Sequence, residues 1–264
     1  MSEINHPQAH FRFPPEIDIE KEMRHAIEKK KMPRFLFKYM TIKGAMRFLE
    51  NAELLYSRPS DFNDPFDCKS YVDINGTMRK DWYKLFSKQP PMFPGALEYF
   101  VDRAMIDPDY AQQIVQNSLE HAKESTGILC LTTKNDNILM WSHYSDCHKG
   151  VCIKFDMSRD SRSFYFPKRV VYGDKYMSFN FVENPNLFTK SLFHKSQDWK
   201  YEDEYRVVKT EGYGLHTINK ECVASIIFGC KTNQEDENEI RKKMKRIILT
   251  CNFRELYKAN NHID

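Results

Sequence analysis

Glycine is scarce in this chain, at 9 of 264 residues, or about 3% against a usual ~7%. The nine stand apart, at 44, 76, 95, 127, 150, 173, 212, 214 and 229. None of them forms a G-x-G-x-x-G or G-x-x-x-x-G-K-[ST] arrangement. Both patterns bring bare backbone against phosphate, so Rossmann and P-loop chemistry are excluded. A nucleotide bound here must be gripped by side chains. An excess of one charge is also missing: 40 Lys and Arg against 37 Asp and Glu leave +3. That balance is too even to argue for nucleic acid or an anionic membrane. The basic clusters Lys29–Lys31 and Arg241–Arg246 fall at the ends of expected helices, where they complement the dipole.

Seven cysteines, an odd count in a long chain, make no disulfide framework. No apolar run approaches the roughly 18 residues of a membrane span. The opening MSEINHPQAHFRFPPEIDIEKEM has no apolar h-region. The expectation is a cytoplasmic protein with reduced thiols and no membrane contact.

What the chain does have is aromatic bulk, with 19 Phe, 14 Tyr and 3 Trp, and length enough to bury a core. Residues 1–16 read as a loose arm. Ile19, Met23 and Ile27 then mark an amphipathic helix that Pro33 ends, so 1–33 is an arm and helix preceding one α+β domain over 34–258. Strands are expected at 35–40 and 53–57, flanking a helix that Thr41 caps. Residues 77–124 read as a helical insertion broken at 89–94 and at Asp107–Pro108. From Gly127 the pattern turns to strands, at 127–133, 150–155, 169–172, 203–208, 223–229 and 246–251. Helices interrupt them near 185–196 and 233–245, the second with Asn233 as its cap. The fold class is α+β, with a mixed, mostly antiparallel sheet that is open to division into two sheets.

Three segments could carry chemistry. RPSDFNDPFD (58–67) is a turn built on Asn63-Asp64-Pro65, and its acids suit either the turn itself or, with Asp67, a magnesium site. MWSHYSDCHKGVCIKF (140–155) sets Trp141, His143, Tyr144 and His148 before a strand. Its H-x3-C-H-x3-C spacing lacks the paired knuckles of structural zinc, so no metal is expected. WKYEDEYRVV (199–208), read as a strand, puts Glu202, Glu204 and Arg206 on one face. Two carboxylates so placed repel, which suits acid–base work unless Arg206 neutralises them. The alternative is a plain solvated face with a weak ion pair.

NDPFD, MWSHY and W-x-YE-x-EYR together resemble the bacterial family called domain of unknown function 2971, over about residues 35–230. That resemblance implies an accessory or phage-defence setting and no settled reaction. The order of strands more distantly resembles the ADP-ribosyltransferase fold, with Lys38–Tyr39 on a first strand, Tyr56–Ser57 on a second and Glu202-Asp203-Glu204 late. This resemblance implies cleavage of NAD and modification of a protein or nucleic acid. Glu204 would then hold the ribose and stabilise its developing cation, and Glu202 would orient or deprotonate the acceptor. Tyr39, Tyr144 or Trp141 would stack on nicotinamide, Lys38 and Arg58 would face the pyrophosphate, and Ser57 would shape the cleft. Asn63, Asp64, His148 and Arg206 complete the expected cofactor-facing set. Lys38 departs from the Arg or His of that pattern, and a lysine cannot fork across phosphate.

Two other classes compete with the transferase. A non-catalytic sensor or interaction module of a defence system would satisfy Glu202 and Glu204 with salt bridges and leave no cleft beside them. A metal-dependent nuclease would use Asp64, Asp67 and a glutamate.

Overall fold

The computed structural model describes residues 18–88, 92–210 and 212–250, with 246–250 described as backbone. The expected arm at 1–16 lies outside the described residues. In chain order the elements are α1 (Ile19–Glu28), β1 (Phe35–Met40), α2 (Ile42–Asn51), β2 (Glu53–Tyr56), β3 (Ser70–Val72), α3 (Arg79–Phe86), α4 (Ala96–Ile106) and α5 (Pro108–Ser125). There follow β4 (Gly127–Thr132), α6 (Ile138–Tyr144), β5 (Val151–Asp156), β6 (Lys168–Arg169), β7 (Val171–Gly173), β8 (Met177–Phe179) and α7 (Leu187–Ser191). The chain then forms β9 (His194–Ser196), β10 (Glu204–Lys209), β11 (Gly214–Thr217), β12 (Val223–Phe228) and α8 (Gln234–Thr250). Fold class is therefore α+β, as the sequence implies.

Local chemistry sets the helix boundaries. Thr41 accepts from the Gly44 N–H at 3.1 Å and starts α2; Asp107 accepts from Tyr110 N–H at 3.0 Å and, with Pro108 in the first turn, starts α5. Asn233 accepts from the Asp236 N–H at 2.8 Å, as its expected cap role requires. Two expectations are corrected: the helix expected near 185–196 covers only Leu187–Ser191, with β9 following at His194–Ser196, and the segment expected as a strand at 246–251 continues α8 as far as Thr250.

The main sheet runs β12-β5-β1-β4-β10-β6, with every neighbouring pair antiparallel. Its narrowest joint is β1–β4, registered at Phe37↔Thr132 alone. Here Lys38 Nζ donates to the Cys130 carbonyl at 3.1 Å, supplying a side-chain link across the joint. Short pairs flank this sheet: β11–β2 antiparallel, β3–β8 and β7–β9 parallel.

Period-two alternation divides the core between the two faces. Leu36, Leu129, Leu131, Ile153, Phe155 and Val207 pack with α1 and α2 on one face. Ile128 and Val208 on the other pack with α3, α4 and α5, the expected helical insertion. On that same second face Tyr39 and Cys152 pack against Met140 and Trp141 of α6. Between these two apolar clusters lie Thr132, Glu204 and Arg206, which face the same way by register. No helix among the described residues is long and apolar enough to cross a membrane.

Candidate functional site

The polar patch between the two apolar clusters is an enclosed ion network. Four parts of the chain supply it. Asn63-Asp64-Pro65 makes the expected turn: Asp64 Oδ1 accepts from Phe66 N–H at 2.9 Å and its carbonyl accepts from Asp67 N–H at 3.1 Å. The turn delivers Asp67 inward. Helix α6, capped by Asn137, delivers Tyr144. Strand β9 delivers Lys195, and the segment 202–206 delivers Glu202, Glu204 and Arg206.

Glu202 does not reach the network along a strand pleat. It ends a 3-10 helix, Gln197–Glu202, and Asp203 follows in the left-handed region at φ 43°. Asp203 is held there by Thr133 and Arg169, while the Thr132 hydroxyl donates to the Glu202 carbonyl. The expected shared face of Glu202, Glu204 and Arg206 is thus corrected in its cause. Glu204 and Arg206 alternate properly within β10, whereas Glu202 joins them through a turn.

Lys195 Nζ lies 2.6 Å from Glu202 Oε2, 3.3 Å from Glu204 Oε2 and 3.5 Å from Asp67 Oδ2. Arg206 forks onto Glu204 at 2.7 and 2.9 Å, reaches Asp67 at 2.6 Å and donates to the Leu192 carbonyl at 2.7 Å. The Tyr144 hydroxyl donates to Glu202 Oε1 at 2.6 Å. Rings close the top: Trp199 lies 4.9 Å from Lys195 Nζ and Phe62 lies 5.4 Å from the Arg206 guanidinium. Glu202, Glu204, Lys195 and Arg206 are exposed by only 2, 3, 5 and 0%. All four carboxylate oxygens of the two glutamates have protein donors.

Burial alone would raise the Glu204 carboxyl, but Arg206 and Lys195 outweigh it and hold the group down at about 2. Glu202 goes the other way. Burial raises it, Lys195 offsets part of that and the Glu204 charge adds to it, so its carboxyl stays above the ordinary range. Burial lowers Lys195, yet the surrounding carboxylates more than reverse this. Lys38 is lowered by burial. Burial pushes the Cys68 thiol, 3.1 Å from Arg206, up to about 12 despite that neighbouring cation.

The expected site residues divide. Glu202, Glu204, Arg206 and Tyr144 meet, and Asn63 faces the Tyr144 hydroxyl from the turn. Lys38 approaches Glu204 only from the β1–β4 joint. Tyr39 and Trp141 are packed edge to face with centroids 5.0 Å apart, and Trp141 Nε1 donates to the Asn135 carbonyl. Those two rings are core, not a stacking surface. Ser57 pairs through its backbone with Ile128, four residues from Thr132 and so roughly 13 Å along β4. Arg58 pairs with Asp61 and Glu124 over the Tyr213 ring. His148, in the left-handed region at φ 71°, meets the Lys231 N–H through its carbonyl. Ser57, Arg58 and His148 do not join the network. Among the described residues, no three His, Cys, Asp or Glu side chains cluster to hold a metal.

Lys195 is the residue the motifs did not mark. A signal existed: three acids over 202–204 beside Arg206 alone call for another cation when buried. Asp67, for which the sequence offers a turn or a magnesium role, is an ion-pair partner.

Fold and network define an α+β protein organised around a buried, fully hydrogen-bonded charge cluster. Residues 140–207 match the family described as Protein of unknown function (DUF2971). That span holds Tyr144, Lys195, Glu202, Glu204 and Arg206, and it supports the resemblance read from MWSHY and W-x-YE-x-EYR; the NDPFD turn lies outside it. No curated protein and no solved structure matches the chain.

Proposed function

We propose that the protein is a non-catalytic sensor or interaction module, whose recognition face is the aromatic surface over the ion network. One observation carries this reading: every carboxylate oxygen of Glu202 and Glu204 is taken up by Lys195, Arg206 or Tyr144 inside the protein. A glutamate so held is already occupied by internal donors, and a ribose hydroxyl would have to share or displace one of them. Above it, His143 and Trp199 lie 6.2 Å apart and Trp199 and Tyr201 6.0 Å apart. Ile138 and Leu139 of α6 are exposed as well. Aromatic residues on a rigid base are what contact surfaces favour. The defence setting implied by the family resemblance is where such a partner belongs.

A second reading, an ADP-ribosyltransferase-like enzyme cleaving NAD, draws on a different observation. Tyr144 is half-buried and links Glu202 to the surface, so a rearranged Tyr144 would open a path to that carboxylate. One experiment separates the two. The chain is incubated with labelled NAD, with and without cell lysate, and nicotinamide release and label transfer are measured. The module reading expects neither. Release that disappears in Glu202→Gln would overturn it in favour of the transferase.

A further inference from the structure

The charges of the network do not cancel. Asp67, Glu202 and Glu204 surround Lys195 and Arg206. Arg206 serves Glu204 and Asp67, so among the described residues the only cation for Glu202 is Lys195, which it shares with both other carboxylates. Lys38, the next cation, donates to the Cys130 carbonyl and not to a carboxylate. An uncompensated negative charge in an enclosed site is costly, and protonation is the usual remedy. Glu202 is the carboxylate with the weakest compensation, and it is also the one with a link to the surface, through Tyr144.

We infer that the cluster is a proton-binding switch. Glu202 takes up one proton as the pH falls, ahead of an ordinary carboxylate, and the loss of its charge loosens the Lys195–Glu202–Tyr144 connection beneath the aromatic face. This deepens the sensor reading and rests on it for what the switch would control.

The groups facing Glu202 come from every side. Lys195 comes from β9, Glu204 and Arg206 from β10, Asp67 from the turn after β2 and Tyr144 from α6. Tyr172 of β7 accepts the Glu204 N–H at 2.8 Å, and Tyr201 lies on the same 3-10 helix as Glu202. Lys38 of β1 and Cys130 of β4 act through Glu204. Tyrosines and the buried thiol stay protonated throughout the acidic range, their acidities being weakened by burial. Glu204 is pinned in its ionised form by Arg206 and Lys195. Asp67 is held by two cations, Arg206 at 2.6 Å and Lys195 at 3.5 Å, whereas Glu202 has Lys195 alone; Glu202 is therefore the group that changes, and burial with the neighbouring Glu204 charge moves it in the required direction.

The test is a carboxyl-carbon NMR titration of the full chain, with tryptophan emission followed in parallel. One glutamate resonance should titrate above all the others, and emission should shift at the same midpoint through Trp199 above Lys195. Glu202→Gln should abolish both. Tyr144→Phe removes a hydrogen bond that favours the charged carboxylate, so it should raise the midpoint further; this variant keeps every formal charge and tests the idea even where Glu202→Gln fails to fold. The inference is overturned if no glutamate titrates above the ordinary range, if the displaced resonance survives in Glu202→Gln, if emission ignores it, or if Tyr144→Phe leaves its midpoint in place. All of this is read on the chain alone, so a missing partner or an NAD-cleaving activity would sink the module reading without touching these outcomes.

Discussion

Arg206 and Glu204 illustrate why single side chains here have effects larger than surface ion pairs do. Exposed pairs are worth about 0–1 kcal/mol, and Arg58–Asp61 on the surface is of that kind. An enclosed pair is different, because removing one partner strands a charge with no water to take it; the cost is about 3–5 kcal/mol. Glu204→Gln strands no cation, since Arg206 keeps Asp67 and Lys195 keeps Glu202, but the amide nitrogen cannot accept their buried donors, so about 1–3 kcal/mol should be lost at neutral pH. The gap must also depend on pH. A carboxyl held at about 2 against an ordinary 4.5 contributes stability that is fully present above 4.5 and disappears as the pH falls through 2. Urea midpoints measured across that window should therefore converge for wild type and variant toward the acid end; a constant gap would mean that Glu204 is not tied to its cations. Glu202, raised instead of depressed, has the opposite sign: its contribution is present at low pH and is lost as the pH rises through its folded value.

At the scale of elements, the sparse glycines find a use in sheet closure. A Cβ on Gly150 would run into the Met40 carbonyl, and one on Gly229 into the His148 carbonyl. These two residues let the β5 entry and the β12 exit cross against β1 and the loop after α6. That loop is itself unusual, with Asp146, Cys147 and His148 successively left-handed at φ 50°, 52° and 71°, which β-carbon sterics disfavour. Gly150→Ala and Gly229→Ala should each destabilise by about 1–3 kcal/mol, the range of overpacking, as thermal or chemical unfolding would register. A neutral result at either position would show that the crossing can relax. Much of the element order was legible in the sequence because caps, prolines and alternation are local. Thr41, Asp107-Pro108 and the apolar run of β4 each report their own structure. Two of the failed readings have definable reasons. Ile247 and Ile248 suggested a strand by their β-branching, yet with Ile240 and Met244 they fall at steps of four, seven and eight, which is helical spacing. The alternation through 202–206 hid the left-handed Asp203, because Asp in that conformation leaves no periodic trace. Lys195 escaped for a more general reason: an ion pair made across separate elements has no sequence period.

Across the whole molecule, β4 and β10 bind two cores into one. Leu129 and Leu131 of β4 face α1 and α2, while Ile128 faces the α3–α5 layer, and the network fills the same second face beside it. A strand that alternates between two cores should couple their unfolding, since neither core can lose β4 and remain packed. Leu129→Ala opens a cavity only on the α1–α2 side, at a cost of about 2–5 kcal/mol. Trp82, buried in the opposite core, and Trp141 in the α6 cluster are natural reporters. If the sheet holds the described residues from 34 onward together as one cooperative unit, Leu129→Ala should lower the denaturation midpoint seen by Trp82 as much as that seen by Trp141. Versions with one reporting tryptophan each, made by Trp→Phe at the other two positions, would separate the signals. A Trp82 transition that stays at its wild-type midpoint while the others move would show that the helical layer over 79–125 folds as its own unit. In that case the ion network would lie at a boundary between units, not within one.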